Sequence, residues 1–205
     1  MTTVGTLLFP GFELLDVFGP LELFGAARVG YHIETLAETA GAVASAQGPR
    51  AIADIALADA KPYDILLIPG GRGTRREVDN AALIAWIGAQ AQKATIVATV
   101  CTGAALLART GLLDGRKATS NKEAFAWVME QGPKVLWQPR ARWAVDGKFF
   151  TSAGVSAGMD MALALIASLE GAQVARRAAD YAEYRWNDDP DDDPFGARLG
   201  GAASS

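Results

Sequence analysis

Two short apolar runs, each followed at once by a turn of small residues, constrain the fold of this chain most strongly. Residues 64–68 read DILLI and lead into Pro-Gly-Gly at 69–71, while residues 95–100 read TIVATV and lead into Cys-Thr-Gly at 101–103. Apolar strands without polar alternation are typical of parallel sheets that helices cover on both faces. We therefore predict an α/β fold, with a doubly wound, mostly parallel sheet and helices on both faces.

The rest of the chain continues this alternation of strands and helices. We predict further strands at residues 4–9, 31–37, 52–57, 117–120, 135–138, 142–145 and 149–152. We predict helices at residues 81–93, 102–109, 121–131, 155–169 and 172–185. Asn80 is in position to cap the first of these helices. Gly19-Pro20 is expected to open another helix, because proline is favoured in a first helical turn.

The composition excludes several classes of protein. The 205 residues carry a net charge of −4, so there is no basic field to attract nucleic acid or anionic lipid. A single cysteine and a single histidine exclude an internal disulfide and any metal site built from several His or Cys ligands. We expect no signal peptide, because residues 1–9 have no basic region and no long apolar core, and no run approaches the roughly 18 apolar residues of a membrane helix. We expect a cytoplasmic protein with no metal, membrane or nucleic acid partner.

The end of the chain differs in character from the rest. Residues 187–205 are first acidic and then small and polar. We expect a single domain over residues 1–186 and a loosely ordered acidic tail over residues 187–205, whose removal leaves the core folded. The aspartates of this tail lack the loop pattern of a dedicated calcium site.

Cys101 is the candidate nucleophile. Ligands of doubly wound sheets bind at the carboxyl ends of the strands, and Cys101 joins a buried strand to the start of a helix, as in a nucleophile elbow. Helix N-terminal amides favour the thiolate, which predicts a lowered pKa for Cys101. The N–H groups of Thr102 and Gly71 are candidates to stabilise a developing anion. The alternative is a buried structural cysteine, since free cysteines are often fully buried.

Two carboxylates are candidates for acid–base chemistry. Asp16 and Glu22 lie in the apolar stretch LLDVFGPLELF, where burial raises a carboxyl pKa and suits the group to proton transfer. Asp16 is expected in the turn after the first strand, and Glu22 on the following helix. Each of them could instead cap backbone amides or face solvent.

Other polar residues near these segments have simpler interpretations. His32 lies within a predicted strand, far in sequence from the site loops, and is expected to be structural. Arg72, Arg75 and Arg76 could hold an anionic substrate group, or could form a solvated helix start or a subunit contact. The glycine turn lacks the third glycine of a dinucleotide fingerprint, so we expect no nucleotide cofactor.

Four motifs resemble the ThiJ/PfpI superfamily over residues 4–182. They are LLFPGFELLDVFGPLE at 7–22, DILLIPGG at 64–71, TVCTGAALLARTGLLDGRKAT at 99–119 and TSAGVSAGMDMALALI at 151–166. The resemblance implies a flavodoxin-like sandwich of the class I glutamine amidotransferase kind. Within the superfamily, the chain is most similar to isonitrile (isocyanide) hydratases, and the first motif also occurs in sensor domains of transcription regulators.

The resemblance also implies residue roles. The nucleophile of the family falls on Cys101, the carboxylate partner of the hydratases on Asp16, and the backbone anion-binding amides on Gly71 and Thr102. Asn121 departs from the hydratases, which carry histidine at that point. Protease-like members carry histidine where this chain has Thr102, so we expect no peptidase activity. Gly70, Glu22 and Asn121 are further candidate site residues.

The resemblance implies a lyase-type enzyme that hydrates isonitriles to N-substituted formamides without a cofactor, and a homodimer that binds only a small-molecule substrate. One alternative is a glyoxalase- or deglycase-like enzyme for small dicarbonyls, in which Glu22 would partner the cysteine. Another is a non-catalytic sensor of ligand or redox state, in which Cys101 is oxidised to a sulfinate. Regulators of the superfamily carry an additional helix-turn-helix domain, and we expect no such basic module within these residues.

Overall fold

A seven-stranded sheet forms the centre of the structure, a computed structural model that describes residues 1–196. The strands of the described residues are β1 (Thr3–Leu7), β2 (His32–Ala37), β3 (Gly41–Ala44), β4 (Arg50–Ala53), β5 (Ile55–Ala56), β6 (Ile65–Ile68), β7 (Ile96–Thr99), β8 (Lys117–Ala118), β9 (Leu136–Trp137), β10 (Trp143–Asp146) and β11 (Phe149–Ser152). The sheet has the order β10-β11-β7-β6-β1-β2-β5. All neighbours run parallel except β10 and β11, which confirms the predicted mostly parallel sheet.

Three further strand pairs are short: one lies at the edge of the central sheet, and two form small sheets of their own. The turn at Gly147, with φ +60°, joins β10 to β11 as the Asp-Gly hairpin signal at 146–147 predicts. β3 and β4 form a separate antiparallel hairpin, and β8 pairs with β9 in parallel. The β3–β4 hairpin contacts the loop that follows the carboxyl end of β1, where the Gly11 N–H donates to the carbonyl oxygen of Ala44 at 2.8 Å.

Helices cover both faces of the sheet. They are α1 (Leu14–Ala26), α2 (Thr74–Glu77), α3 (Ala81–Lys93), α4 (Gly103–Arg109), α5 (Phe125–Gln131), α6 (Ala157–Glu170) and α7 (Ala172–Tyr181). Asn80 caps α3 as expected, with its side chain accepting from the Leu83 N–H at 3.2 Å. Within residues 1–196, no helix combines the length and the apolar character needed to cross a membrane.

The apolar run of β6 divides its side chains between two hydrophobic cores. Leu66 and Ile68 belong to the core formed with α3 and α4, whereas Ile65 and Leu67 belong to the core formed with α1 and α6. Both faces of the strand are therefore buried. This is the physical reason why the run is apolar throughout rather than alternating.

The prediction that Gly19-Pro20 opens a helix is wrong. α1 begins at Leu14 and contains Pro20 in its interior. The helix continues through the proline because it packs tightly on α6, where a Cβ on Gly19 would lie only 2.8 Å from Cγ of Met159. In consequence Asp16 lies in the first turn of a helix rather than in an open turn.

The expectation of a loosely ordered tail is wrong for residues 187–196. Asp193 has a side chain only 1% exposed, and it lies 3.5 Å from Nζ of Lys122 and 3.9 Å from Arg142. The guanidinium of Arg142 also forms an ion pair with the fully buried Asp160. The backbone N–H of Arg142 donates to the carbonyl oxygen of Pro190 at 2.7 Å. Buried cations require anionic partners, and the acidic segment supplies one. Residues 197–205 of the expected tail lie outside the described part of the chain.

Candidate functional site

Cys101 occupies a strained turn between β7 and α4. Its φ is +56°, a region that non-glycine residues rarely adopt and that occurs at strand-to-helix elbows. The backbone N–H holds this turn by donating to the carbonyl oxygens of Ser152 and Ala153 at 3.2 and 3.3 Å. A Cβ on Gly103 would clash with the carbonyl oxygen of Ile68, so the first residue of α4 packs directly on the end of β6. The strand–turn–helix layout predicted around the cysteine is present.

Gly70 forms the wall opposite Cys101. A Cβ at this position would lie 2.5 Å from the Thr102 nitrogen and 2.9 Å from Cβ of Cys101, so only glycine allows the two loops to approach this closely. The Gly70 N–H donates to Oδ2 of Asp16 at 2.8 Å, and its carbonyl accepts from the Glu13 N–H at 2.9 Å. One glycine thus connects the candidate nucleophile with the candidate acid.

Asp16 is fully buried in the first turn of α1. Burial raises the pKa of its carboxyl well above the usual range, the Gly70 hydrogen bond opposes this shift, and the nearby Glu13 charge adds to it. Burial at this position therefore favours the protonated, neutral form of the carboxyl over the carboxylate. Its Oδ1 atom is also buried and has no hydrogen-bond partner among residues 1–196, so the protein commits only one of the two carboxyl oxygens.

The expectation of a lowered pKa for Cys101 is wrong. Burial raises the pKa of the thiol well above its usual value, and Asp16 and Glu13 raise it further whenever they carry charge. Hydrogen bonds from the Thr102 N–H and hydroxyl favour the thiolate but do not outweigh burial. α4 is also only 7 residues long, so its dipole provides little compensation. Burial therefore favours the thiol form of Cys101 over the thiolate.

Thr102 and Gly71 have different surroundings. Thr102 hydrogen-bonds to Cys101 through both its N–H and its hydroxyl. The Gly71 N–H instead donates to Oγ1 of Thr102 at 3.0 Å, and Thr74 Oγ1 lies 3.1 Å from the same oxygen. Thr102 therefore contacts the sulfur directly, while Gly71 orients Thr102. An anion-binding role for either amide stays a prediction.

Asn121 lies beside the thiol. A Cβ on Gly154 would meet Nδ2 of Asn121 on one side and lie 3.1 Å from Sγ of Cys101 on the other. Oδ1 of Asn121 accepts from the Ala124 N–H at 2.9 Å, which fixes the amide at the start of α5. The neighbouring Ser120 hydroxyl donates to the Cys101 carbonyl at 2.7 Å. The position at which the chain departs from the hydratases thus borders the candidate nucleophile.

Glu22 does not belong to this site, contrary to the expectation from the sequence. It is exposed on α1 and lines a surface hollow of about 360 Å³ together with Phe18, Arg28 and Tyr181. The helical spacing of six residues from Asp16 directs the two carboxylates to different faces of α1. Glu22 therefore cannot share a proton with Cys101 in this structure.

His32 also lies away from the site, as expected. It begins β2, is exposed, and its Nε2 lies 3.2 Å from Oε1 of Glu34 on the same strand. Parallel strands present their carboxyl ends at one edge, and His32 is at the other.

Sequence reasoning missed Glu13 and Gln47. Glu13 raises the pKa of both Asp16 and Cys101, which places its charge close to both groups. Its Oε1 accepts from Nε2 of Gln47, and Oε1 of Gln47 accepts from the Leu14 N–H at 3.2 Å. Glu13 lies in the same motif as Asp16 and could have been found from it. Gln47 reaches the site only through the β3–β4 hairpin, and no local pattern indicates that contact.

A cavity of about 660 Å³ lies elsewhere, between the β3–β4 hairpin and α3. Its walls are mostly apolar and include Val43, Leu83 and Trp86. Neither Cys101 nor Asp16 lines it, so the candidate chemistry does not take place in this cavity.

Comparison with known proteins shows two kinds of relatives, an enzyme and transcriptional regulators. Isonitrile hydratase from Pseudomonas putida is 29% identical over 181 residues, which cover 88% of this chain and 78% of that protein. The HTH-type transcriptional regulator CdhR from Pseudomonas aeruginosa is 33% identical over 175 residues, which cover 82% of this chain. This chain spans only about half of the regulator, 51% of its length.

Solved structures show the same fold. A ThiJ/PfpI family protein from Pseudomonas syringae aligns with a TM-score of 0.79 and 28% identity, covering 91% of this chain and 76% of the other. A DJ-1 superfamily protein from Salmonella typhimurium aligns with a TM-score of 0.79 and 26% identity, covering 91% and 100%. The sequence pattern of the DJ-1/PfpI family matches residues 2–168. This chain belongs to the DJ-1/PfpI family.

Proposed function

We propose that this protein is a cofactor-independent hydratase that converts isonitriles to N-substituted formamides, with Cys101 as the nucleophile and Asp16 as the proton carrier. The observation that carries the proposal is the buried carboxyl of Asp16. One of its oxygens is fixed by Gly70, and the other has no partner among residues 1–196. A neutral carboxylic acid with one free oxygen can donate and accept a proton without separating charge in a buried site.

In the first step, the Cys101 sulfur attacks the terminal carbon of R–N≡C and forms a C–S bond. Asp16 delivers its proton to the same carbon and takes up the thiol proton in exchange. The product is a covalent thioimidate, Cys–S–CH=N–R, with Asp16 again protonated. Both groups begin and end this step neutral, which fits the raised pKa of each.

In the second step, water adds its oxygen to the thioimidate carbon. Asp16 gives its proton to the nitrogen and takes one from the water, leaving Cys–S–CH(OH)–NH–R. The C–S bond then breaks, the hydroxyl loses its proton to Asp16, and Asp16 returns a proton to the sulfur. The products are the formamide and the free thiol, so the sum of the reaction is R–NC plus water to R–NH–CHO.

Thr102 and Asn121, which both lie near the sulfur, support these steps. The Thr102 N–H and hydroxyl hydrogen-bond to Cys101 and stabilise the negative charge that develops on sulfur. The amide nitrogen of Asn121 lies next to Gly154, whose added Cβ would also contact the sulfur. An amide can hydrogen-bond to a substrate but carries no transferable proton near neutral pH. Asp16 therefore carries the proton transfers alone.

A homodimer in the cytoplasm with a small-molecule substrate completes the proposal. Leu15 and Phe18 on the outer face of α1 are 40% and 45% exposed, and a second copy of the chain would cover them. Sedimentation of the purified protein tests this part separately.

The second candidate is a ligand-binding sensor, which the similarity to the regulator CdhR supports. A redox sensor is less well supported, since easily oxidised cysteines are exposed thiolates and Cys101 is buried with a raised pKa. Dicarbonyl chemistry that uses Glu22 is disfavoured by the distance of that residue from the site. Incubating wild type and Cys101→Ser with small isonitriles and with methylglyoxal distinguishes the candidates. Formamide indicates the hydratase, lactate the glyoxalase, and turnover of neither the sensor.

A further inference from the structure

Arg75 and Trp127 bridge the two walls of the Cys101 site. The guanidinium carbon of Arg75 lies 3.6 Å from the centroid of the Trp127 ring, which is a close cation–π stack. Arg75 belongs to α2, which follows the turn at Gly70. Trp127 belongs to α5, whose first turn is fixed by Asn121. The stack therefore holds the guanidinium between the segments that flank the thiol on either side.

A chain of hydrogen-bonding groups leads from Arg75 to the sulfur. Nη1 of Arg75 donates to Thr74 Oγ1 at 3.2 Å, and Thr74 Oγ1 lies 3.1 Å from Thr102 Oγ1. The Thr102 hydroxyl in turn hydrogen-bonds to Cys101. Burial lowers the pKa of Arg75, and negative charge on Cys101 opposes that shift, so the two groups feel each other's charge. Only Thr74 therefore separates Arg75 from Thr102, the residue that hydrogen-bonds to Cys101.

The charge of Arg75 has no carboxylate partner among residues 1–196. The neighbouring Arg76 differs, because its Nε donates to Oε1 of Glu77 at 2.9 Å. Arg109 on the same side of the fold lies 3.6 Å from Asp79. Arg75 is instead oriented by an aromatic ring and a hydroxyl, which leaves most of its donors free. A guanidinium in this state is well suited to bind a carboxylate through two parallel hydrogen bonds.

We propose that the Cys101 site takes small electrophiles that bear a carboxylate group, and that Arg75, held in place by Trp127, binds this carboxylate. The identity of the electrophilic group as an isonitrile rests on the proposed function, but the selection for negative charge does not. Arg75 is then a specificity-determining residue.

A purely structural role for the stack makes a different prediction. If Arg75 only braces α2 against α5, its loss lowers stability and affects neutral and anionic reagents alike. Reagents that differ in charge but react by the same chemistry therefore separate the two roles.

Iodoacetate and iodoacetamide form such a pair. Each alkylates Cys101 by forming a C–S bond and breaking a C–I bond, with release of iodide and loss of the thiol proton to solvent. The ratio of their rate constants at one fixed alkaline pH measures how well the site accepts a carboxylate. We expect Arg75→Gln to lower the iodoacetate-to-iodoacetamide ratio about tenfold, equivalent to about 1.4 kcal/mol. Arg75→Lys keeps the charge and should recover much of the ratio.

Arg72→Gln is the matched control, because it removes the same charge from an exposed residue that lies just before α2. It should change the ratio less than twofold. The proposal is overturned if Arg75→Gln leaves the ratio unchanged, or if Arg72→Gln lowers it equally. If Arg75→Gln lowers the melting temperature but leaves the ratio of rate constants unchanged, the stack has only a structural role, and the proposal is overturned as well.

Turnover then tests the same residue on substrates. Isocyanoacetate and its methyl ester share the isonitrile group and differ in charge. We expect Arg75→Gln to raise KM about tenfold for isocyanoacetate only, and an equal rise for both would contradict the proposal. If the wild type hydrates neither compound, the hydratase function fails, while the alkylation ratio still decides whether Arg75 reads a carboxylate.

Discussion

Gly70 donates its backbone N–H to Oδ2 of the buried Asp16 at 2.8 Å. The same glycine packs so closely on Cys101 that a side chain at this position would not fit. The acid of α1 and the thiol after β7 are therefore both held against the same glycine. Because this bond uses only Oδ2, the buried Oδ1 of Asp16 has no hydrogen-bond partner among residues 1–196.

Alkylation of Cys101 should have a high and Asp16-dependent pH profile. Only the thiolate reacts, so the rate rises with pH through the pKa of Cys101, which burial raises. We expect the inflection for iodoacetamide to lie above the free-thiol value of roughly 8.5. At such a pH the carboxylate of Asp16 opposes thiolate formation, so Asp16→Asn should lower the inflection. A wild-type inflection below the free-thiol value, or no decrease in Asp16→Asn, would contradict this description of the site.

Gly154→Ala should impair the site without unfolding the protein. The added Cβ would displace the Asn121 amide and press on the Cys101 sulfur, since the space between them is already filled. Misplacement of reacting groups by about 1 Å can cost roughly 10²-fold in rate. Gly25→Ala is the control, because a Cβ there meets no atom within 4 Å. Normal turnover in Gly154→Ala would show that the packing around the sulfur is not critical.

The segment at 187–196 should be essential for stability. Asp193→Asn leaves the buried Lys122 ammonium without its anionic partner, and breaking a buried ion pair typically costs about 3–5 kcal/mol. Asp191→Asn removes a charge from an exposed position of the same segment and should have little effect. Thermal unfolding of the two variants measures the difference. Equal melting temperatures would mean that Asp193 does not hold the segment in place.

His32→Gln should leave catalysis nearly unchanged. His32 lies at the opposite edge of the sheet from Cys101, and its ring Nε2 lies 3.2 Å from Oε1 of Glu34. A hundredfold loss of kcat, about 2.7 kcal/mol of barrier, in a folded variant would show that the histidine takes part in the reaction.

The fold was largely predictable because its strongest signals are local. The sequence runs that form β6 and β7 are apolar because both faces of these strands are buried. The turns that follow them need small residues, because Gly70 and Gly103 lie close to neighbouring backbone atoms. Position after a buried strand was enough to identify Cys101 as the elbow residue. Asp16 could be identified as a candidate acid because a carboxyl is unusual in such an apolar stretch of sequence.

The failures arose where distant contacts override local preference. Pro20 sits inside α1 because packing against α6 maintains the helix, which outweighs one missing hydrogen bond. Asp193 is ordered because it meets Lys122, a residue 71 positions earlier. The thiol pKa of Cys101 depends on the burial and on the carboxylates that only the folded chain assembles. None of these contacts leaves a periodic signal in the sequence.

Formamide production from small isonitriles tests the central claim most directly. We expect wild type to release N-substituted formamide, Cys101→Ser to release none, and Asp16→Asn to turn over roughly 10²- to 10⁴-fold more slowly while remaining folded and open to alkylation at Cys101. Asparagine keeps the shape and the Gly70 hydrogen bond but lacks the transferable proton. Formamide release by Asp16→Asn at the wild-type rate would exclude Asp16 as the proton carrier. Absence of formamide from wild type across the isonitriles would contradict the hydratase itself.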